Sequence, residues 1–514
     1  MVEAQGEHST DSYAIGSSPA DAISREIPVD FDERSQENEY YLTKLYESLR
    51  GKKYLIVLDD VWTTDLWTQI GVALPDELNG SRVVITTRFL DYDIDALQVI
   101  RMWVAEGFIP QEENRIFEDT AESFLEDLVQ RGLIQATQRS NNGSIFCCRI
   151  HDLLRDVAIQ KAKEENVLMV CSNPDDQRSC NGARRVAVHD PYFNELVKCA
   201  SRNLRSLLCF GSQMPNCCEH GLLKVLYCPD AFLETFESLE GLTQLKYLNF
   251  RIQIGNRIGY FQGLIGRMRF MQTLDLTVDY ANGDILENIW HIKTLRHVAL
   301  NYLTPPRSCT SFLGPPLSEK QSNLRTLVGV TCRESWIQEP PKLPNLRDLD
   351  IHIPQGFPWS VIVTLLGTLR HLASLAIWGF DIPINIVNMT GFSFYEHLQN
   401  LDLVEWSSTA SALELNAGFF PVHLNRLSIV GLRLRLDPMA VLETLRHLKY
   451  LNIWKTKVER MSCSATGFQQ LEELRLFKID ELEELEIERG ALHMLKNSKL
   501  VIAIDCACHR GYNT

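Results

Sequence analysis

A leucine-rich pattern recurs across the C-terminal two-thirds of the 514-residue chain and limits what that part can fold into. The pattern is L-x-x-L-x-L, with other apolar residues allowed, and one copy cannot bury its own leucines. A long series of copies predicts short parallel strands that stack around a shared core as a horseshoe-shaped solenoid of leucine-rich repeats. The copies begin at Leu204, Leu223, Leu245, Met271, Leu295, Leu324, Leu346, Leu372, Leu398, Leu424, Leu448 and Leu471.

The x positions of this pattern alternate with the leucines and are predicted to line the concave side of the horseshoe. Basic and aromatic residues dominate the middle of that side, where Asp350 and Asp402 are also concave positions. Carboxylates are concentrated in its last repeats. A face with separated charge suits a protein partner of matching charge, and a merely solvated surface is the alternative interpretation. The candidate partner-binding residues are Lys246, Tyr247, Arg296, Arg325, Arg347, Lys449 and Tyr450.

Composition and charge narrow the class of protein. A formal net charge of −15 disfavours a broad surface for nucleic acid or for an anionic membrane, which needs concentrated basic charge. The N-terminus lacks the pattern of a secretory signal, and no run of about 18 apolar residues occurs, so we expect a cytoplasmic protein without an integral membrane segment. The 14 cysteines are scattered and are expected to be buried thiols.

The segment before the repeats begins with a candidate α/β unit. YLIVL at 54–58 and RVVITT at 82–87 are apolar without alternation, which is typical of parallel strands covered on both faces. A helix is predicted between them over 65–72, so the three elements form one β-α-β unit that is too small to fold alone. The carboxylates of Asp59 and Asp60 stand side by side where the first strand ends.

Short helices follow this unit. DALQVIRMWVAEG at 95–107 and FEDTAESFLEDLVQRG at 117–132 predict amphipathic helices, each closed by a glycine suited to left-handed backbone. A hairpin that turns at Asn142-Gly143 and a third helix from His151 complete a winged-helix-like pattern. Winged helices often bind DNA, but the second helix is acidic and would repel phosphates, so no nucleic-acid partner is expected. Its acidic residues are Glu118, Asp119, Glu122, Glu126 and Asp127.

Four motifs in this order, LIVLDDVW, GSRVVITTR, VIRMWVAEGFI and RIHDLLRDVA, precede the irregular leucine-rich repeats. The series resembles the plant intracellular immune receptors of the nucleotide-binding (NB-ARC) leucine-rich-repeat class. Trp62, after the paired aspartates, is similar to the branch with a coiled-coil N-terminus. The resemblance covers roughly residues 40–505. It implies a role in plant defence, with a pathogen effector, a guarded host protein or another immune receptor as the protein partner.

The resemblance also implies ADP or ATP with Mg²⁺ as cofactors and gives four residues a role. In that family the carboxylate matching Asp59 helps to hold the magnesium ion, and the one matching Asp60 polarises the water near the γ-phosphate. Arg88 matches the arginine that senses the γ-phosphate. His151 matches the histidine that contacts bound ADP, and Ile150 replaces the methionine usual before it. The alternative is that these residues only end a strand or precede a helix.

Two parts of the family's nucleotide site have no match in the sequence. The phosphate-binding pattern G-x-x-x-x-G-K-[ST] is absent, and its nearest approach is YESLRGKK at 46–53. After TTRF the sequence passes at once to LDYDIDAL, where relatives have a further helical domain with a Gly-Leu-Pro-Leu motif. We therefore expect a truncated receptor with weak or no ATP hydrolysis, and not an enzyme, because carboxylates without a positioned ligand catalyse little.

The predicted fold class is α/β: a leucine-rich-repeat solenoid preceded by a partial P-loop-type fragment and a winged-helix-like domain. The main alternative function is an ADP/ATP-binding switch ATPase that still binds nucleotide. An adaptor of the ubiquitin system and a non-functional gene fragment are further alternatives. The predicted boundaries are 1–38 for a disordered lead, 39–94 for the partial nucleotide-binding fragment, 95–180 for the winged-helix-like domain and 181–514 for the repeats.

Overall fold

The protein is described here from a computed structural model, and its chain forms two compact units, residues 1–94 and 95–514. The residues that the structure describes are 13–16, 35–52, 54–61, 73–75, 82–87, 93–113, 115–140, 143–150, 152–171, 183–189, 203–211, 217–232, 236–252, 258–278, 287–302, 312–316, 321–380, 382, 397–406, 414–415, 420–495 and 500–503.

The first unit contains a three-stranded sheet in the order β1-β2-β3 and one helix, α1. The parallel pairing of β2 with β3 confirms the two strands predicted from their apolar runs. The prediction of a disordered lead is wrong at β1, which pairs antiparallel with the open edge of β2. The helix predicted over 65–72 lies outside the described residues. The elements are β1 Tyr13–Gly16, α1 Ser35–Leu49, β2 Leu55–Val61 and β3 Arg82–Thr87.

The second unit begins with a winged-helix-like domain. Its order of helix, helix, hairpin and helix confirms the sequence prediction, and its small sheet runs β4-β6-β5. Asp95 caps the first helix, because its Oδ1 accepts a hydrogen bond from the Gln98 amide at 3.1 Å. The helix then ends at Gly107, whose φ of 90° is the left-handed conformation predicted there. The elements are β4 Ile94–Asp95, α2 Ala96–Glu106, α3 Phe117–Gln130, β5 Gln135–Arg139, β6 Ile145–Arg149 and α4 Asp152–Glu164.

A single sheet of 15 strands, in which every neighbouring pair is parallel, forms the rest of this unit. The strands are β7 Met169–Cys171, β8 Arg185–Val188, β9 Ser206–Cys209, β10 Val225–Phe232, β11 Tyr247–Ile252, β12 Thr273–Val278, β13 His297–Tyr302, β14 Thr326–Thr331, β15 Asp348–His352, β16 Ser374–Gly379, β17 Asn400–Glu405, β18 Arg426–Val430, β19 Tyr450–Trp454, β21 Glu473–Phe477 and β23 Leu500–Ala503. A separate pair joins β20 Arg460–Cys463 to β22 Glu484–Ile487.

Each of the twelve leucine-rich copies contributes one strand of this sheet, namely β9 to β19 and β21. The residue that opens each copy is at most 1% exposed, so the leucines form one continuous core. The sheet begins earlier than predicted, at β7. That strand and β8 lack the leucine spacing, but their Cys171, Val186 and Val188 are buried in the same core.

Short helices form the other layer of the repeats. They lie between successive strands of the chain and pack their apolar residues on the leucine core, as Phe261 and Ile362 do. The α-helices are α5 Ile258–Ile265, α6 Trp359–Thr368 and α7 Met439–Leu442. The 3-10 helices are Phe236–Leu239, Glu287–His291 and Glu334–Ile337. The opposite face of the sheet contacts the winged-helix-like domain.

Neither a candidate membrane helix nor a candidate metal cluster is present among the described residues. No helix among them combines the length and apolarity needed to cross a membrane. Within the same residues, no three or more His, Cys, Asp or Glu side chains come together as a metal site would require. Six of the free cysteines there are buried, as predicted, whereas Cys171 is in a disulfide.

Candidate functional site: the winged helix against the repeats

Of the nucleotide-site residues, only Asp59 and Asp60 belong to a described element, β2. Beside them in the register, Val61 of β2 pairs with Thr87 of β3, so the sequence position of Arg88 directly follows the paired strand ends. Arg88 and His151 themselves lie outside the described residues. The described backbone therefore places only Asp59 and Asp60, in β2 beside β3, and the nucleotide roles of all four residues stay predictions.

A better-defined site lies where the winged-helix-like domain meets the first half of the repeats. The chain contributes α3 from one side and the starts of β13, β14 and β15 from the other. The first turn of α3 carries Glu118 and Asp119, which the positive end of the helix dipole favours. These carboxylates face the basic concave positions of the repeats.

Glu118 is the centre of this contact. The Arg296 guanidinium donates two hydrogen bonds to its carboxylate, from Nε to Oε1 at 2.6 Å and from Nη2 to Oε2. His297 Nε2 lies 3.1 Å from the same Oε1, and Arg325 Nε lies 3.7 Å from Oε2. All four side chains are at most 15% exposed. Bidentate pairing of this kind fixes orientation as well as charge.

At neutral pH this cluster combines the Glu118 carboxylate with the guanidinium cations of Arg296 and Arg325 and a neutral His297. Burial by itself would raise the pKa of Glu118, but hydrogen bonds from His297 and Arg296 outweigh burial, and the net pKa is lowered. Burial lowers the pKa of His297 to about 4, with the charge of Arg101 acting in the same direction. His297 is therefore neutral, and its proton sits on Nε2, because an ionised carboxylate can only accept a hydrogen bond.

A second charged contact joins the end of α2 to the first repeats. Glu106 accepts a hydrogen bond from Arg185 Nε at 2.6 Å and another from the Ser206 hydroxyl at 2.7 Å. Glu106 and Ser206 are both buried. A buried carboxylate is stable only when its oxygens are satisfied in this way, so the pairing ties the helix to β8 and β9.

An apolar patch lies beside Glu106. Ala105 of α2 packs with Val225, Tyr227 and Tyr247, which stand on the concave face of β10 and β11. Tyr247 is 0% exposed. The winged helix therefore covers this end of the concave face with both apolar and charged contacts.

Some of the candidate partner-binding residues contact the winged-helix-like domain, and the others do not. Tyr247 is buried under α2, and Arg296 and Arg325 contact Glu118, so none of these three is open to an outside partner while the winged helix is docked. Arg347 makes a more exposed ion pair with Asp119 at 3.1 Å. The remaining candidates, Lys246, Lys449 and Tyr450, lie outside this contact: Lys449 pairs with Glu472 and Tyr450 stacks with Arg426.

From the sequence, the acidic residues of α3 were interpreted only as groups that would repel the phosphates of DNA. Glu118, Asp119 and Glu106 were not expected to face the repeats. One signal was available, because an acidic helix and a basic concave face in the same chain are complementary. Spacing along the sequence does not reveal which faces of two domains meet.

Comparison with known families divides the chain in the same order as its domains. Residues 20–102 match the NB-ARC domain, and residues 90–158 match the winged-helix domain of disease resistance proteins. Residues 202–511 match the leucine-rich repeat region, which is more than half of the chain.

Curated plant proteins are similar over most of the chain. Disease resistance protein RPP13 of Arabidopsis thaliana is 31% identical over 418 residues, which are 78% of this chain and 45% of that protein. Putative disease resistance RPP13-like protein 2 of the same plant is 30% identical over 439 residues, 80% of this chain and 48% of that protein. The chain thus spans about half the length of the curated relatives it matches.

Among solved structures, a leucine-rich-repeat protein of Leptospira interrogans aligns with a TM-score of 0.38 and 14% identity, over 64% of this chain and 80% of that one. The family assignment depends instead on the domain matches and on the plant relatives. On these grounds the chain belongs to the NB-ARC and leucine-rich-repeat family of disease resistance proteins.

Proposed function

We propose that this protein acts in plant innate immunity as a receptor-like protein of the cytoplasm, whose repeats bind a protein partner. The observation that carries the proposal is the ordered match to NB-ARC, winged-helix and leucine-rich-repeat regions, together with relatives that are disease resistance proteins. The partner is a pathogen effector, a guarded host protein or another immune receptor. The concave face is suited to it because its uncovered part is long, charged and aromatic.

The winged helix gives this proposal a physical mechanism. Arg296, His297 and Arg325 hold Glu118 only while the domain is docked. A partner that places its own carboxylates on these residues would compete with Glu118 and release the domain. Coupling of this kind needs differential affinity for the docked and released states, which an acidic partner would supply.

Leaves that express the full chain in a plant line lacking it are expected to support less growth of at least one pathogen in a panel. The matched control is the Gly329→Ala variant, in which the repeat fold is expected to fail although the rest of the chain is unchanged. The measurement is pathogen growth at equal protein level. Equal growth with both proteins for every pathogen would count against a defence role.

Nucleotide binding is a family property, and we propose that it is weak here. The sequence contains Asp59 and Asp60 but no phosphate-binding loop, so the amides and the lysine that give most of the affinity are not supplied by any stretch of the chain. The alternative function, an ADP/ATP-binding switch, requires that another segment cradle the phosphates.

Fluorescent ADP with Mg²⁺, titrated into the purified chain, is expected to show no saturable binding in the micromolar range. The Asp59→Ala variant should therefore give the same trace as the wild type. Glu486→Ala, which removes an exposed carboxylate of the repeats, is the control for charge. Micromolar binding that is lost with Asp59→Ala and kept with Glu486→Ala would favour the switch.

A further inference from the structure

Asp350, Ala376 and Asp402 lie in the middle of the concave face, and the position of the small Ala376 side chain between the two aspartates is called the recess below. In the register of the sheet, Asp350 of β15, Ala376 of β16 and Asp402 of β17 are direct neighbours. Strands are about 4.8 Å apart, so the two aspartates stand about 10 Å apart at the backbone, with only a methyl group between them.

The two carboxylates are poorly satisfied within the chain. One oxygen of each, Oδ1, is shielded from solvent and has no hydrogen-bond partner among the described residues. Asp350 Oδ1 lies 3.7 Å from His352 Nε2, beyond hydrogen-bond distance, and neither aspartate forms an ion pair with a lysine or arginine in that part of the chain. Arg426, on the next strand, has its guanidinium over the Tyr450 ring at 4.1 Å.

Electrostatics agree with this geometry. Burial and then the charge of Asp402 raise the pKa of Asp350 to about 7, while the Trp378 indole opposes this. His352 does not neutralise the pair, because burial lowers its pKa to about 4. Burial also raises the pKa of Asp402, against the charge of Arg426. Buried carboxylates with pKa values raised in this way are candidates for a functional site.

An aromatic wall closes one end of the recess. The His352 and Trp378 rings stack with centroids 5.6 Å apart, and Trp406 meets His352 edge-on at 5.5 Å. Phe380 packs edge-on against Trp406 at 5.4 Å. Tryptophan faces attract ammonium and guanidinium groups, so the wall selects the same kind of ligand as the carboxylates.

We propose that the recess between Asp350 and Asp402, floored by Ala376 and walled by Trp378 and Trp406, binds a lysine or arginine side chain of a protein partner. The proposal rests on the proposed function, because it names a contact that the repeats make with that partner. The recess is acidic where the winged-helix contact is basic. One partner can therefore meet two sites of opposite charge along the same concave face, which fixes its orientation.

The probe for this site is a fluorescein-labelled Gly-Arg-Gly-Arg-Gly peptide, with the citrulline form of the peptide as its uncharged counterpart. Binding to the full chain is followed by anisotropy at about 0.15 M salt, which screens weak long-range attraction. The test variant is Asp350→Asn/Asp402→Asn. The matched control is Glu483→Gln/Glu486→Gln, which removes two exposed carboxylates of later repeats and changes the net charge equally.

At about pH 8 the test variant is expected to bind the arginine peptide about tenfold more weakly than the wild type, and the control within about twofold. Wild-type affinity should fall between about pH 8 and pH 6 as Asp350 takes up a proton, and the test variant should lose this dependence. The ionisable groups that face the recess from its strands are Asp348, Asp350, His352, Asp402 and Arg426. Asp402→Asn alone provides a second variant if the double one does not fold.

Equal weakening in the two double variants, or equal binding of the citrulline peptide, would overturn the assignment. The leaf experiment is independent of this result. If the peptide test fails and the leaf result is positive, only the proposed binding of a basic side chain at the recess is overturned. If the peptide binds and the leaves show no effect, only the proposed defence role is overturned.

Discussion

Replacing Glu118 by alanine is expected to weaken the docking of the winged helix by about 3 kcal/mol, because it leaves the shielded guanidinium groups of Arg296 and Arg325 without their carboxylate. Local opening of the contact should then be about a hundredfold more frequent. Hydrogen–deuterium exchange of α3 and of the starts of β13 and β14 measures this directly. The control, Glu122→Ala, removes a carboxylate from the same helix outside this cluster.

The effect of Glu118 has a defined pH window. Its pKa in the folded chain lies below the ordinary 4.5, so its stabilising contribution is present above that pH and is lost as the pH falls further. His297 acts at higher pH, since the unfolded chain takes up its proton at the ordinary 6.5 and the folded chain only at about 4. Acidification from 6.5 towards 4 should therefore lower the free energy of unfolding of the wild type. Exchange that is insensitive to Glu118→Ala at neutral pH would contradict the role of this residue.

Replacing Gly329 by alanine is expected to destabilise the repeats by at least about 4 kcal/mol. Gly329 has a φ of +75°, and a Cβ there would stand 2.0 Å from the Leu300 carbonyl oxygen on the neighbouring strand β13. The backbone of one strand must move to remove that overlap. The register of β14 against β15 shifts at this point, so the glycine allows the irregularity.

Gly356→Ala is the matched control for this prediction. Gly356 has a similar φ of +79°, but a Cβ there would meet nothing within 4 Å. Only the conformational penalty remains, which is about 1 kcal/mol. Thermal unfolding of the two variants separates the backbone overlap from that penalty. Equal melting temperatures would show that β13 and β14 do not approach as closely as described.

The repeats could be predicted because their physics is local and periodic. Each copy must bury Leu at fixed spacing, so twelve copies predict twelve strands, and the structure has them. The strands β7 and β8 escaped prediction because they bury Val186 and Cys171 without that spacing. The strand β1 was not predicted because its pairing depends on which strand of the sheet has an unpaired edge, and the sequence does not show this.

The sequence predicted only the basic residues of the candidate site. The basic residues Arg296, Arg325 and Arg347 follow from the repeat pattern, but the source of the complementary charge does not. That source is α3 of the same chain, more than 170 residues earlier, as the separation of 178 between Glu118 and Arg296 shows. Tyr247 was expected on an open surface because its pattern position is concave, and it is buried because α2 lies there.

A double-mutant cycle on Glu118 and Arg296 tests most directly whether the winged helix is held on the repeats by this cluster. Opening free energies of α3 would be measured by hydrogen exchange in the wild type, Glu118→Ala, Arg296→Ala and the double variant. A docked contact predicts that the double variant loses less than the sum of the single variants, by at least about 1.5 kcal/mol. Effects that add to within about 0.5 kcal/mol would contradict it.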